Sequence, residues 1–322
     1  MKYRICIILL LAGSVQTLWA QWFREPKMTY AQKLEIVEHS LAGDTTDLYQ
    51  LRRVKYPKEL PAEIDTLDFQ RGTDCPRMRL YQLKGTETDY RRPLLIWMHE
   101  GGWMTGSLEE CEPFIVSLVQ KGRLAVLSVD YALAPEHPFP EGLHDVENAI
   151  QYAYSHPETL RIDTSLISVG GQEAGANLAL AAAIKMRHKF HSIIAISPVT
   201  RLSEDGSPSW YRYGKGFGLD SRMMTLGFQA YLSDSFLMHD PLVSPEDATQ
   251  SQLEKLEHLL IVSPEYDILE DQGKAFYEQL KGLGVPVERL YLNGARHDYL
   301  QNPEAYYEIN QTLQNIIQHT TK

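Results

Sequence analysis

Cysteine, basic residues and long apolar runs are all scarce in this chain. Only Cys6, Cys75 and Cys111 occur in 322 residues, and their spacing fits neither a metal motif nor a dense disulfide framework. Lys and Arg number 31 against 42 Asp and Glu, giving a formal net charge of −11 at pH 7. That balance argues against nucleic acid or an anionic membrane as partner. No apolar run reaches the roughly 20 residues of a spanning helix, so no membrane span is expected. No glycine-rich phosphate loop opens the first strand–helix unit, so no organic cofactor is expected. Internal repeats and low-complexity segments are lacking as well.

At the N-terminus, Lys2 and Arg4 precede an apolar stretch at 5–12, with small and polar residues up to Ala20. This is the pattern of a secretory signal peptide cleaved after Ala20, assigning 1–20 to a leader. Cys6 lies too early to be a lipobox cysteine, so the expectation is release into a periplasm or an extracellular space. Cys75 and Cys111 would remain, either paired in that oxidising compartment or as two buried thiols. About 300 residues are enough for one large α/β domain.

Residues 21–60 read as a small cap segment, with Thr29 capping a helix that carries Tyr30, Leu34, Val37 and Leu41 at helical spacing. Residues 61–322 read as the main domain. Alternation over 64–83 predicts two strands joined by a turn at 72–76. Residues 93–98 form a continuous apolar run, as a strand covered on both faces requires. Ser107 and Glu110 predict a capping box for the following helix. Strands at 124–129, 166–169, 192–196, 259–262 and 287–292 alternate with helices, including one bearing Val146, Ile150 and Tyr154 and one bearing Phe276 and Leu280. Asn302-Pro303 would open the last helix. The fold class is therefore α/β, with a mostly parallel, doubly covered sheet. Residues at about 200–250 break the rhythm and read as an insertion over the sheet.

The chain is organised around Gly170-Gly171-Gln172-Glu173-Ala174-Gly175. An apolar strand stops at two glycines and gives way to an alanine-rich helix, leaving one large polar side chain, Glu173, at the apex. This is the backbone of a nucleophile elbow, G-x-S-x-G, with a carboxylate in the apical place.

Several segments in order resemble the hormone-sensitive-lipase branch of the α/β hydrolases, which includes many bacterial carboxylesterases. His99-Glu100-Gly101-Gly102-Trp103 is similar to the oxyanion segment H-G-G-G-W, and residues 130–140 to D-Y-R-L-A-P-E-H-P-F-P. Residues 171–179 fall where the family has G-D-S-A-G-G-N-L-A. Residues 240–245 and 266–269 resemble the segments leading to the triad acid, and 294–299 the one carrying the triad histidine. The resemblance implies an α/β-hydrolase fold with a small helical cap, His297 as general base and Asp267 as its orienting acid. It also implies an oxyanion hole from the backbone N–H groups of Gly101, Gly102 and Ala174, with Glu100 and Trp103 at the pocket. Two residues depart from the pattern: Glu100 replaces a glycine, and Glu173 replaces the nucleophilic serine.

A carboxylate has no hydroxyl proton to surrender. Glu173 is expected to accept a hydrogen bond from His297, favouring the imidazolium between two anions, and to reach the oxyanion donors. Two further chemistries stay open. Glu173 itself attacks, as aspartate does in dehalogenases and epoxide hydrolases of this fold, or Glu100, Glu173 and His297 gather a metal, although no spacing such as H-E-x-x-H supports one. Among other candidates, His99 is expected to bond backbone, Glu136 to brace its loop and Asp298 to be solvated. Of Trp210, Tyr211, Tyr213, Phe217, Phe228, Tyr231 and Phe236, about half are expected to be plain packing. The functional expectation is an esterase- or lipase-like hydrolase with an altered or weakened serine mechanism. Its alternative is a catalytically silent protein binding a small ester or other acylated or aromatic ligand.

Overall fold

The structure is a computed structural model that describes residues 28–52, 59–72, 75–85, 91–122, 124–186, 188–203, 206–301 and 306–318. The leader assigned to 1–20, its cleavage point and Asn302-Pro303 lie outside the described residues. Among the described residues, no helix is long and apolar enough to cross a membrane.

Eight strands form one sheet: β1 (Ile64–Phe69), β2 (Arg77–Leu83), β3 (Arg92–Met98), β4 (Ala125–Asp130), β5 (Ile162–Gln172), β6 (Ile193–Ile196), β7 (Leu259–Tyr266) and β8 (Val287–Arg296). Their order is β1-β2-β4-β3-β5-β6-β7-β8. The first three in that order pair antiparallel and every later pair is parallel. Every residue of β3 is buried, as its unbroken apolar run requires of a central strand with both faces covered.

The helices are α1 (Tyr30–Leu41), α2 (Tyr49–Arg52), α3 (Glu112–Lys121), α4 (Glu141–Ser155), α5 (Pro157–Leu160), α6 (Ala174–Lys185), α7 (Pro208–Arg212), α8 (Ser221–Tyr231), α9 (Gln250–Leu253), α10 (Glu270–Gly282) and α11 (Tyr306–Gln318). One apolar cluster joins Ile96, Val169 and Ala195 of the sheet to Val146 and Ile150 of α4, Leu178 of α6 and Phe276 of α10. A second, on the other face, joins Leu95, Trp97 and Val126 to Phe114 and Leu118 of α3. The described residues of 200–250 carry short helices and no strand. There, Leu226 and Ala230 of α8 pack on Val37 of α1, with Leu48, Met104 and Ala134.

Thr29 caps α1 through a box with Gln32. The box expected at Ser107 and Glu110 is not a helix cap. Ser107 Oγ accepts from Glu110 N at 3.3 Å and closes a turn, while α3 begins at Glu112 after Cys111, with a proline in its first turn. Pro113 has no N–H to cap and its φ is already helical, so it sets the start.

Candidate active site

Backbone geometry builds the elbow. β5 runs through Gln172, α6 starts at Ala174, and Glu173 between them holds φ 55° and ψ −112°. A side chain in that region is strained, and such strain persists only where the surroundings over-determine it. Glu173 N donates to Ile196 O on β6 at 2.9 Å. A Cβ on Gly175 would stand 2.3 Å from Met98 O, and one on Gly171 would stand 2.4 Å from the Gly175 carbonyl carbon. Only glycines let β5, α6 and the end of β3 approach this closely.

The loop after β3 faces the elbow. Gly101 and Gly102 have φ of 122° and 58°, which turns their amides toward Glu173. Glu173 Oε2 accepts from Gly101 N at 2.8 Å and Oε1 accepts from Gly102 N at 3.1 Å. The Ala174 amide begins α6 directly after the apex. His99 Nδ1 lies 2.7 Å from the Glu100 carbonyl oxygen, and its ring stacks on Tyr131, whose hydroxyl donates to His99 O. His99 thus ties this loop to the strand end.

Across from the elbow, His297 Nδ1 is 2.8 Å from Asp267 Oδ2. Asp267 Oδ1 accepts from Leu269 N at 3.0 Å, so the carboxylate is fixed at both oxygens. Glu173, Asp267 and His297 are 2 %, 0 % and 4 % exposed. The carboxylate next to His297 Nε2 is that of Glu100, at 3.5 Å. The expected hydrogen bond from His297 to Glu173 is therefore corrected: two backbone N–H donors capture the Glu173 carboxylate, and Glu100 faces the imidazole.

Burial shifts both titrating groups. Desolvation pushes the Glu173 carboxyl up to about 7, opposed by the His297 charge and the two amides and reinforced by Glu100. Burial alone would lower His297, but Asp267 and Glu100 together hold it well above the ordinary histidine value. In this geometry the two carboxylates favour the charged form of the imidazole.

The remaining candidates divide by surroundings. Trp103, expected at the pocket, is 1 % exposed and stacks on Tyr231 with centroids 4.4 Å apart; it supports the loop from beneath and does not line open space. Glu136 pairs with Arg52 at 2.8 Å. Arg52 also donates to Met104 O and Ala134 O, so it clamps both loops to α2. Asp298 lies 3.4 Å from Arg296 on a half-exposed edge. Trp210, Phe228 and Tyr231 are buried, whereas Tyr211 and Phe236 are exposed. Tyr213 and Phe217 pack on Tyr266. A surface cleft of about 480 Å³ is lined by Tyr30, Trp210, Tyr211, Lys215, Asp220 and Arg222, among others, and by neither Glu173 nor His297. Cys75 and Cys111 are free thiols.

Sequence reasoning missed how the insertion is tied to the site. Phe217 O accepts from His297 N at 3.1 Å. A Cβ on Gly227 of α8 would lie 3.0 Å from Gly102 O, and Asn177 Nδ2 donates to Val199 O and Val243 O. The available signal was a glycine inside an amphipathic helix, which marks close backbone approach.

With this geometry in place, the comparisons with known proteins agree. Residues 95–301 match the family described as alpha/beta hydrolase fold. The chain is 34% identical over 219 residues to an arylesterase of Saccharolobus solfataricus, covering 67% of this chain and 71% of that protein. It is 31% identical over 218 residues to a putative alpha/beta hydrolase of Acanthamoeba polyphaga mimivirus, 66% of this chain but only 63% of that one. The chain therefore spans a little less than two thirds of the viral relative. Among solved structures, an arylesterase superposes with a TM-score of 0.70 at 26% identity, over 94% of this chain and 97% of that one. A thermostable esterase from Pseudomonas putida shares the fold with a TM-score of 0.75 at 22% identity, over 94% of each chain. This chain belongs to the α/β-hydrolase family, in the esterase and lipase group that its motifs resemble.

Proposed function

We propose that this protein is an exported, esterase-type α/β hydrolase whose serine mechanism is strongly weakened, because Glu173 takes the nucleophile's place and occupies the oxyanion donors. One observation carries the reading: the Glu173 carboxylate spans the amides of Gly101 and Gly102 at 2.8 and 3.1 Å. In an acyl-transfer enzyme such donors hold the tetrahedral oxyanion, and losing a single one costs about 10²–10³ in rate. Here both are engaged by a side chain that offers no hydroxyl nucleophile. Because both carboxylate oxygens are held by donors, neither is poised for attack on a substrate, and this speaks against the dehalogenase-like route. The substrate or ligand class is a small ester or other acylated or aromatic molecule, in keeping with the arylesterase relative.

The second reading, a silent binding protein, is favoured by His297. Held between Asp267 and Glu100, the ring has two carboxylate partners that favour its charged form, which works against a role as base. The test is hydrolysis of short p-nitrophenyl esters by the native chain, Glu173→Ser and Glu173→Ser/His297→Ala. Near-background turnover in the native chain and a gain in Glu173→Ser that His297→Ala abolishes would support the weakened mechanism. Native turnover that requires Glu173 would overturn it.

A further inference from the structure

We propose that Glu100, Glu173 and His297 form a binding site for one divalent transition-metal ion, Zn²⁺ or Mn²⁺, between the elbow and the histidine loop. The inference rests on the reading of Glu173 as the group that occupies the oxyanion donors, since those amides aim its carboxylate into this space.

Geometry carries the argument first. One ligand atom from each of the three residues lies within 4.8 Å of the others. A triangle with sides no longer than that has its centre at most about 2.8 Å from each corner. Metal–nitrogen and metal–oxygen bonds of Zn²⁺ are about 2.0–2.2 Å, so the ligands need to close by at most about 0.8 Å each. All three follow the ends of sheet strands, and most of the closure falls to Glu100, whose partly exposed side chain is the one free to move.

Histidine orientation is the second observation. Metal-ligating imidazoles characteristically donate the second ring N–H to a carboxylate, which fixes the tautomer and raises ligand basicity. Asp267 takes that position at 2.8 Å from Nδ1, and Leu269 N anchors the Asp267 carboxylate in turn. The other ring nitrogen, Nε2, faces Glu100 Oε2 at 3.5 Å, and an ion bound there would displace its proton to solvent. The amides of Gly101 and Gly102 do the same for Glu173: Oε2 accepts from both, and Oε1 accepts from Gly102 N alone and keeps a lone pair for an ion.

Charge is the third. Asp267, Glu100 and Glu173 place three carboxylates around one imidazole, and the ion-pair partner of both Asp267 and Glu100 is His297. A divalent cation offsets the excess negative charge that a single ring leaves. One imidazole and two carboxylates form a mixed nitrogen–oxygen set, which suits Zn²⁺ or Mn²⁺ better than Ca²⁺ or Mg²⁺ with their preference for oxygen. The Glu100 side chain is 28% exposed, which leaves a path for the ion and a side open to water or ligand.

The experiment is calorimetric titration of the chelator-treated full chain with Zn²⁺ alone and with Mn²⁺ alone, beside Glu100→Gln, Glu173→Gln and Asp267→Asn. The expected result is one ion per chain, with affinity at least about 100-fold weaker in either Gln variant and about 10- to 100-fold weaker in Asp267→Asn. Absence of saturable binding at one equivalent would overturn the site, as would equal affinity in the native chain and both Gln variants, since the ion would then sit elsewhere. Thermal melts in chelator establish which variants are folded. Should Glu173→Gln fail, Glu100→Gln, whose side chain is partly exposed, gives the same readout. Ester hydrolysis by Glu173→Ser in the presence of chelator is measured in parallel. Metal binding with no gain there retains the site and sinks the weakened-serine reading, whereas a gain with no metal binding does the reverse.

Discussion

The two halves of the site differ in kind. On the base side, Asp267 and His297 form a buried pair at 2.8 Å, with the acid further fixed by Leu269 N. On the attack side the backbone is that of an elbow: positive φ at the apex, glycines at the close contacts and two inward amides. Yet its side chain fills the space those amides face. One half pairs a buried acid with a histidine, and the other carries a carboxyl where the elbow would present a hydroxyl. A hydrolase scaffold can therefore keep its main-chain geometry while one side chain changes the chemistry the site offers.

The sharpest way to break this contrast is to restore a hydroxyl. Glu173→Ser should raise p-nitrophenyl acetate turnover by about 10²–10⁴-fold, the usual contribution of a positioned general base. Adding Asp267→Asn should remove most of that gain, because the ring loses the partner that sets its tautomer. Stopped assays on all three proteins decide it; a flat series would mean that the base side is not competent.

Main-chain geometry is tested by Gly175→Ala. Its Cβ would meet Met98 O at 2.3 Å and His99 O at 2.5 Å, both backbone atoms that cannot swing aside. A loss on the order of 3 kcal/mol in denaturant unfolding is expected, and a neutral result would mean that the elbow is looser than its glycines imply.

Protonation separates the halves further. The folded Glu173 carboxyl stands at about 7 against an ordinary 4.5. An acid whose pKa is raised by folding contributes stability at low pH and loses it as pH rises from the unfolded to the folded value. His297, also raised, contributes stability below its ordinary value that is lost as pH climbs through the folded one. Both act in the same direction, so stability in chelator should fall from pH 4.5 upward. About 2.5 pK units for Glu173 correspond to an effect on the order of 3 kcal/mol. Glu173→Gln should flatten the slope between pH 4.5 and 7, and an unchanged slope would exclude Glu173 as its source.

The smallest effect is expected at the cysteines. Both are free, so a reductant should change stability by less than about 0.5 kcal/mol. Burial pushes the Cys111 thiol up to about 12, so it should alkylate more slowly than Cys75. A cross-linked peptide in a non-reducing digest would contradict this.

Legibility of the fold followed from burial. The unbroken apolar run in β3 and the two glycines before the apex can be satisfied only by a covered strand and a tight turn, and both could be read directly. The Ser107–Glu110 pair was misassigned because a capping motif looks the same whether a helix or a turn follows, and Pro113 set the boundary. Trp103 looked like a pocket wall because a motif carries no information about what stacks beneath it, here Tyr231. Arg52 and the backbone contact of Phe217 to His297 went unnoticed since each acts across a large sequence separation through atoms of the main chain.

By itself, the sequence determined the α/β class and the elbow with its carboxylate apex, because periodicity, glycine placement and residue chemistry are local properties, while the Asp267–His297 pair came as candidates from the family resemblance of the segments around them. Tertiary structure decided which partner each carboxylate takes. Glu173 could have turned to His297 or to the amides, and Glu100 to solvent or to the ring. The choice depends on where three loops place their donors after the sheet has closed, and the two amides won because a buried carboxylate is held best by donors already fixed in position.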